Sequence, residues 1–142
     1  MPSLLAHRAD MFTAMGVEGD HQQLQQSFAD WLHVRLPSEQ YLAWVATVHT
    51  DSIVGGIGVG LMPYPPSPLS GLRLRPIIYN LYVEPAHRRR GLARALLRTA
   101  VEWCTTQGYH KVSLHASSEG RSLYEAEGFA ATTEMARQLK GA

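Results

Sequence analysis

Three consecutive arginines, Arg88, Arg89 and Arg90, stand immediately before Gly91 in the segment LYVEPAHRRRGLARALL, between an apolar strand-like run and an apolar-periodic helix. A helix that opens directly out of a strand presents the unpaired N–H groups of its first turn, and the positive end of its dipole, at the edge of the sheet. Gly91 and Ala93 carry almost no side chain, so a phosphorylated ligand could approach the backbone of Leu92, Ala93 and Arg94 while guanidinium groups add charge from the flank. An arbitrary basic triplet is more often a solvated charge run; here the strand-to-helix context argues for an anion cradle. The spacing is neither the three-glycine dinucleotide fingerprint nor the Gly-Lys-Ser/Thr of a P-loop.

Other residues carry chemistry singly. Asn80 interrupts the apolar run IIYNLYV and needs a partner if buried, either a ligand or an internal hydrogen-bond bracket. Glu84 leaves the end of that run, and His115 ends the next strand, where it could act as a base or bond the backbone. Tyr124 sits on a short amphipathic helix. The remaining histidines, His7, His21, His33, His49, His87 and His110, show no ligand spacing, and no metal site is expected. Cys104 is the sole cysteine, which excludes an internal disulfide and suggests inert packing. Trp31, Trp44 and Trp103 fall on apolar faces and read as core, with Trp31 a candidate to line a pocket.

The elements that must position these groups follow from periodicity. Residues 3–16 and 21–35 read as helices, the second carrying Leu24, Phe28, Trp31 and Leu32 at helical spacing and stopped by Pro37. Residues 41–49 and 52–61 read as a hairpin, and the proline-rich residues 62–71 as a surface loop. Residues 74–83, apolar on both faces, suit a central strand. From Gly91 the positions Leu92, Leu96, Leu97, Ala100, Val101 and Cys104 mark a helix that ends at Gly108, with Arg98 and Glu102 paired four apart. A strand over 109–116, a helix over 119–127 capped by Ser118 and closed by Gly128, and a last strand over 129–139 complete the order. Strand, helix and strand in succession imply parallel pairing with a right-handed crossover, hence an α/β or α+β sheet.

The chain has 142 residues, 45% of them hydrophobic and 18% charged, with a net charge of +1. That composition suits one soluble domain over residues 1–142, with no membrane span and no overall basic field for nucleic acid. The first residues lack the basic and apolar regions of a secretory signal, so cytoplasm is the expected location.

The pattern Arg88-x-x-Gly91-x-Ala93 resembles the acyl-CoA-binding turn of the GCN5-related N-acetyltransferase (GNAT) superfamily, Arg/Gln-x-x-Gly-x-Gly/Ala. The segment SLHASSEGRSLYEAEGF is similar to a later part of the same family, with Tyr124, Gly128 and Phe129 in matching positions. The resemblance spans roughly residues 41–135. It implies a single-domain, mixed, mostly antiparallel twisted sheet flanked by helices, in which two parallel strands, here 74–83 and 109–116, splay apart to admit acetyl-CoA. It further implies that Leu81, Tyr82 and Val83 pair with the pantetheine arm, and that residues 89–94 hold the diphosphate beside Arg88. Ser117 and Tyr124 would complete the cofactor site.

On this resemblance the expected reaction is direct acetyl transfer to a primary amine of a small molecule or peptide, in a ternary complex. Tyr124 would bond the departing sulfur. Many relatives carry a glutamate on the strand before the turn; here that stretch holds none, so the base is left among Glu84, His115 and water held by Tyr79 and Asn80. An acyl-CoA-binding regulatory module without turnover is the alternative. Loops 16–21 and 62–72 would set acceptor specificity. Residues 1–8 leave little room for the family's first strand, and an edge exposed by its absence would invite a homodimer partner.

Overall fold

The computed structural model describes residues 5–8, 10–11, 19, 21–38, 40–48, 52–66, 68 and 74–139. Residues 5–8 and 10–11 are helical. Then follow α1 (His21–Arg35), β1 (Tyr41–Thr47), β2 (Ile53–Pro63), β3 (Leu74–Val83), a 3-10 turn (Pro85–His87), α2 (Leu92–Thr106), β4 (Ser113–Leu114) and α3 (Arg121–Ala126). Residues 1–4 lie outside the described residues, and with them half of the stretch on which the expected loss of a first strand was based. Most of the expected hairpin turn and of the 16–21 connection, and residues 67 and 69–72 of the expected loop, also lie outside.

The sheet has the order β1-β2-β3-β4, antiparallel at the first two junctions and parallel at the third. This is the mixed, mostly antiparallel arrangement that the family resemblance implies. Side chains alternate across it, as a pleated strand requires. Tyr41 and Ala43 of β1 face Phe28 and Leu32 of α1, whereas Trp44 and Ala46 face the other side, where α2 packs. Leu96, Leu97, Ala100 and Cys104 form the buried stripe of α2 and meet Ile57, Val59, Ile78 and Val83. Each such large apolar side chain contributes about 1.5–3 kcal/mol on burial, so this face is the main source of stability.

Along β3 the alternation is broken once. Ile78 faces α2 and Tyr79 faces α1, but past Asn80 it is Leu81 and Val83 that face α2. The cause is a bulge: Tyr82 pairs with Gly56 and Tyr79 with Gly58, so Ile57 alone stands opposite Asn80 and Leu81. Asn80 takes φ 59°, a left-handed conformation that asparagine tolerates better than the β-branched residues around it.

Several expectations need correction. No strand forms over 129–139, where every residue but Phe129 is exposed and Met135 is 93% accessible. The segment's Thr-Thr-Glu centre buries nothing, and β4 offers a paired length of only two residues. The strand expected over 109–116 is likewise confined to Ser113–Leu114. At the other end, β2 runs on to Pro63, which pairs with Leu74 as the strand's last residue, where a missing N–H is tolerated. Ser118 does not cap α3; Ser117 accepts from the Gly120 N–H at 3.2 Å instead. Arg98 pairs across to Glu127 at 3.0 Å, not to Glu102. Gly108 and Gly128 do sit just past α2 and α3, with φ 88° and 91°.

Among the described residues no helix is long and apolar enough to cross a membrane, and no group of three or more His, Cys, Asp or Glu is placed to hold a metal. Two predictions follow from the packing. A Cβ at Gly58 would lie 1.8 Å from the Tyr41 hydroxyl oxygen, and Tyr41, 1% exposed, has nowhere to retreat. Gly58→Ala should therefore lower unfolding stability in urea by about 1–3 kcal/mol. Burial pushes the Cys104 thiol up to about 11. Native protein at pH 8 should resist iodoacetamide and become reactive only when denaturant is added.

Candidate active site

β3 and β4 pair only at Ile77↔Ser113 and Ile78↔Leu114, after which β3 continues to Val83 without its partner. The parting strands leave a cleft of about 520 Å³. One wall is β3 from Ile78 to Val83; the other is Leu114, His115 and Ser117, followed by Leu123 and Tyr124 of α3. Arg88 and Ala93 close one end, and Arg8 and Met11 of the N-terminal helical residues reach the other side. The splay expected between the two parallel strands is thus a cleft with the residues of the turn at its mouth.

The turn itself is built from two left-handed residues, Arg89 with φ 64° and Gly91 with φ 75°. Nothing lies within 4 Å of a Cβ built at Gly91, so it is the backbone conformation, not crowding within the chain, that calls for glycine. No side chain caps α2 and its first turn holds no acid. Its first internal bond runs from the Ala95 N–H to the Gly91 carbonyl, at 3.0 Å. The N–H groups of Leu92, Ala93 and Arg94 therefore have no partner within the helix and carry its positive end.

The arginines divide their work. Arg88 donates from Nε to the Val83 carbonyl at 2.8 Å and lies 5.3 Å over the Tyr82 ring, so its side chain staples the turn to the strand exit. Arg89 and Arg90 are exposed at the rim. Arg94 binds Glu127 Oε1 at 2.9 Å while Arg98 binds Oε2. The Arg98 hydrogen bond holds the Glu127 carboxyl below its usual range against partial desolvation, helped by the charges of Arg98 and Arg94.

Tyr124 is half-buried, and its hydroxyl has no hydrogen-bond partner among the described residues. Burial raises its pKa above the ordinary tyrosine value, so the proton stays on the oxygen at neutral pH. Its ring meets Phe129 edge-on at 6.1 Å and leaves no room for a Cβ at Gly120, which would come within 2.8 Å. Ser117 lines the cleft and holds the turn that leads into α3 through the Gly120 N–H.

Asn80 is bracketed on both sides: Oδ1 accepts from Arg8, and Nδ2 donates to the Tyr41 hydroxyl at 2.8 Å. Burial pushes Tyr41 up to about 12, opposed by the Asn80 bond. Of the candidate bases, His115 lines the cleft and is exposed, whereas Glu84 lies outside the cleft wall with its carboxylate 3.4 Å from Nε2 of the buried His7. Arg8, Met11 and Tyr41 were missed by sequence reasoning. Only the need of Asn80 for a partner hinted at them, because the partners are far away in sequence.

Comparison with known proteins agrees with this geometry. The model of the acetyltransferase (GNAT) family matches residues 2–129. Human N-acetyltransferase 8 is 34% identical over 92 residues, 63% of this chain, and a probable N-acetyltransferase family 8 member 5 from Mus musculus is 37% identical over the same length. The chain spans 38% of the length of these curated relatives. Among solved structures, a GCN5-related N-acetyltransferase from Ralstonia eutropha JMP134 superposes with a TM-score of 0.86 at 35% identity, covering 99% of this chain and 92% of that one. A predicted acetyltransferase from Clostridium acetobutylicum, solved with acetyl-CoA, has a TM-score of 0.83 at 24% identity over 97% of this chain and 88% of its own. With its splayed strands, its uncapped helix start and a family match over nearly its whole length, this chain belongs to the acetyltransferase (GNAT) family.

Proposed function

We propose that the chain is an acetyl-CoA-dependent N-acetyltransferase acting on the primary amine of a small molecule or peptide, by direct transfer with both substrates bound. The observation that carries this reading is the parting of β3 from β4 beside a helix whose first N–H groups have no internal partner. A slender arm fits between the strands, and a diphosphate fits against the N–H groups of residues 89–94, with Arg89 and Arg90 beside it. Leu81, Tyr82 and Val83 offer the backbone edge along which the arm's amides can pair, and Ser117 faces them. When bound, acetyl-CoA supplies an activated acetyl group and a thiol as leaving group.

The chain's own residues then have defined tasks. Tyr124 keeps its proton and directs it into the cleft. With ordinary pKa values of about 10 for tyrosine and 8.5 for a thiol, handing that proton over is uphill by roughly 2 kcal/mol, and burial makes it steeper. Tyr124 therefore acts as a hydrogen-bond donor first and releases the proton only late. The amine needs the opposite service, since a lysine-like amine at pH 7 is neutral only about one time in 2,500, a cost of ~4.6 kcal/mol. Glu84 is engaged by His7, so His115, exposed on the cleft wall, takes that role, with water held by Tyr79 and Asn80 as the route between them.

The missing carboxylate on β3 supports a second reading, an acyl-CoA-binding module without turnover. Calorimetry with acetyl-CoA, followed by thiol release across a panel of amines, separates the two. Heat of binding together with amine-dependent release supports the enzyme; binding with no release supports the module; no binding sinks both. Gly91→Glu, strained at φ 75° and anionic at the cradle, should abolish acetyl-CoA binding, while Gly91→Asn, which tolerates that φ, should keep the fold and measurable binding. Tyr124→Phe should lower kcat on the order of 100-fold while leaving the Kd for acetyl-CoA nearly unchanged.

A further inference from the structure

A second pocket, of about 350 Å³, opens on the α1 side of the sheet and shares Arg8, Tyr79 and Asn80 with the cleft. Its body is aromatic. Phe28 and Trp31 stack at 5.8 Å, and Tyr41 meets the Trp31 ring edge-on at 4.9 Å. Two guanidinium groups stand in this apolar frame: Arg8 lies 4.9 Å over the Phe28 ring and Arg35 4.6 Å over the Trp31 ring. No Asp or Glu is found among the described residues of the wall.

Arg35 forms no ion pair with any described residue; its charge is met only by the face of an indole. A stacked guanidinium keeps its outward N–H donors, and their planar fork matches a carboxylate. Burial lowers the Arg8 pKa, the mark of a cation short of hydration. A pocket with this lining attracts an anion, accepts a flat apolar group and repels a second cation. Its junction with the cleft at Asn80 is where the nitrogen of an acceptor would have to reach Tyr124 and His115.

We infer that the acceptor is a primary amine that also carries a carboxylate and an apolar or aromatic group, seated with the apolar group against the pocket wall of Phe28, Trp31 and Tyr41 and the carboxylate on Arg35. This rests on the acetyltransferase reading of the cleft. It excludes polyamines and other polycations as preferred acceptors.

The test uses the full chain with acetyl-CoA and two matched pairs, L-phenylalanine with L-phenylalaninamide and 4-(aminomethyl)benzoate with 4-(aminomethyl)benzamide, together with spermidine. Rates of thiol release are compared at equal concentrations of neutral amine. At least one carboxylate should exceed its amide in kcat/KM by about tenfold or more, as expected for a charge-assisted bond, and spermidine should be the poorest. Arg35→Gln should remove that preference, raising KM for the carboxylate about tenfold more than for its amide. Titration of the same carboxylate against the protein, followed by tryptophan fluorescence, should show the matching loss of affinity without turnover.

Amides or spermidine equalling or surpassing both carboxylates would overturn the inference while leaving the acetyltransferase reading intact. Carboxylates that neither bind nor react, in a protein that binds acetyl-CoA and acetylates other amines, would also overturn it. Failure to bind acetyl-CoA at all is the separate outcome that removes the underlying reading. An Arg35→Gln variant with an unchanged carboxylate preference would refute the residue assignment even if the preference itself holds.

Discussion

One irregularity in β3 organises the site. At Asn80 the strand inserts a residue against β2, and the side chains beyond it exchange faces. Before the bulge, β3 pairs with both β2 and β4; beyond it, β3 keeps only β2 as a partner and its other edge forms a cleft wall. An inserted residue leaves polar backbone unpaired and bends the strand, so it persists only where neighbours hold it. The Asn80 amide is gripped by Arg8 on one side and the Tyr41 hydroxyl on the other, and Tyr41 packs edge-on against Phe28 and Trp31. Glycine at position 58 is what lets that tyrosine lie against the sheet.

The opposite face supplies rigidity. The buried stripe of α2 fixes the helix on the sheet, and its uncapped start then falls at the strand exit, with Arg88 tying the turn to Val83. The conformational cost of two left-handed residues in the turn is met by this packing. The turn is therefore preformed, which under the proposed function reduces the ordering cost of binding a diphosphate.

Much of this could be read from the residues. The limits of β3 agree with its apolar run, and the stripe of α2 with its periodicity, because both are governed by burial of local, regular patterns. The turn was legible because Gly91 and the arginines adjoin in sequence. The short β4 was not: residues 109–116 read as a full strand, but only Ser113 and Leu114 find partners on β3, and pairing between distant segments has no local signal. The exposed 129–139 segment misled for a related reason, since apolar and β-branched content announces a strand only if a partner edge exists. The roles of Arg98 and Glu127 depend on how α2 and α3 meet, and no local rule forecasts that.

Glu127 sits three residues after Tyr124, and Arg94 three residues after Gly91, so one carboxylate spans from the helix that starts the anion cradle to the helix that carries the phenol. Exposed ion pairs of this kind add little stability. Their effect is metrical: two oxygens, each engaged by its own guanidinium, fix the separation of the start of α2 from Tyr124, which under the proposed function are the two ends of the donor site. On the proposed reading, a molecule of the wrong length would find one end seated and the other out of reach, so a donor would be selected by span as well as by charge.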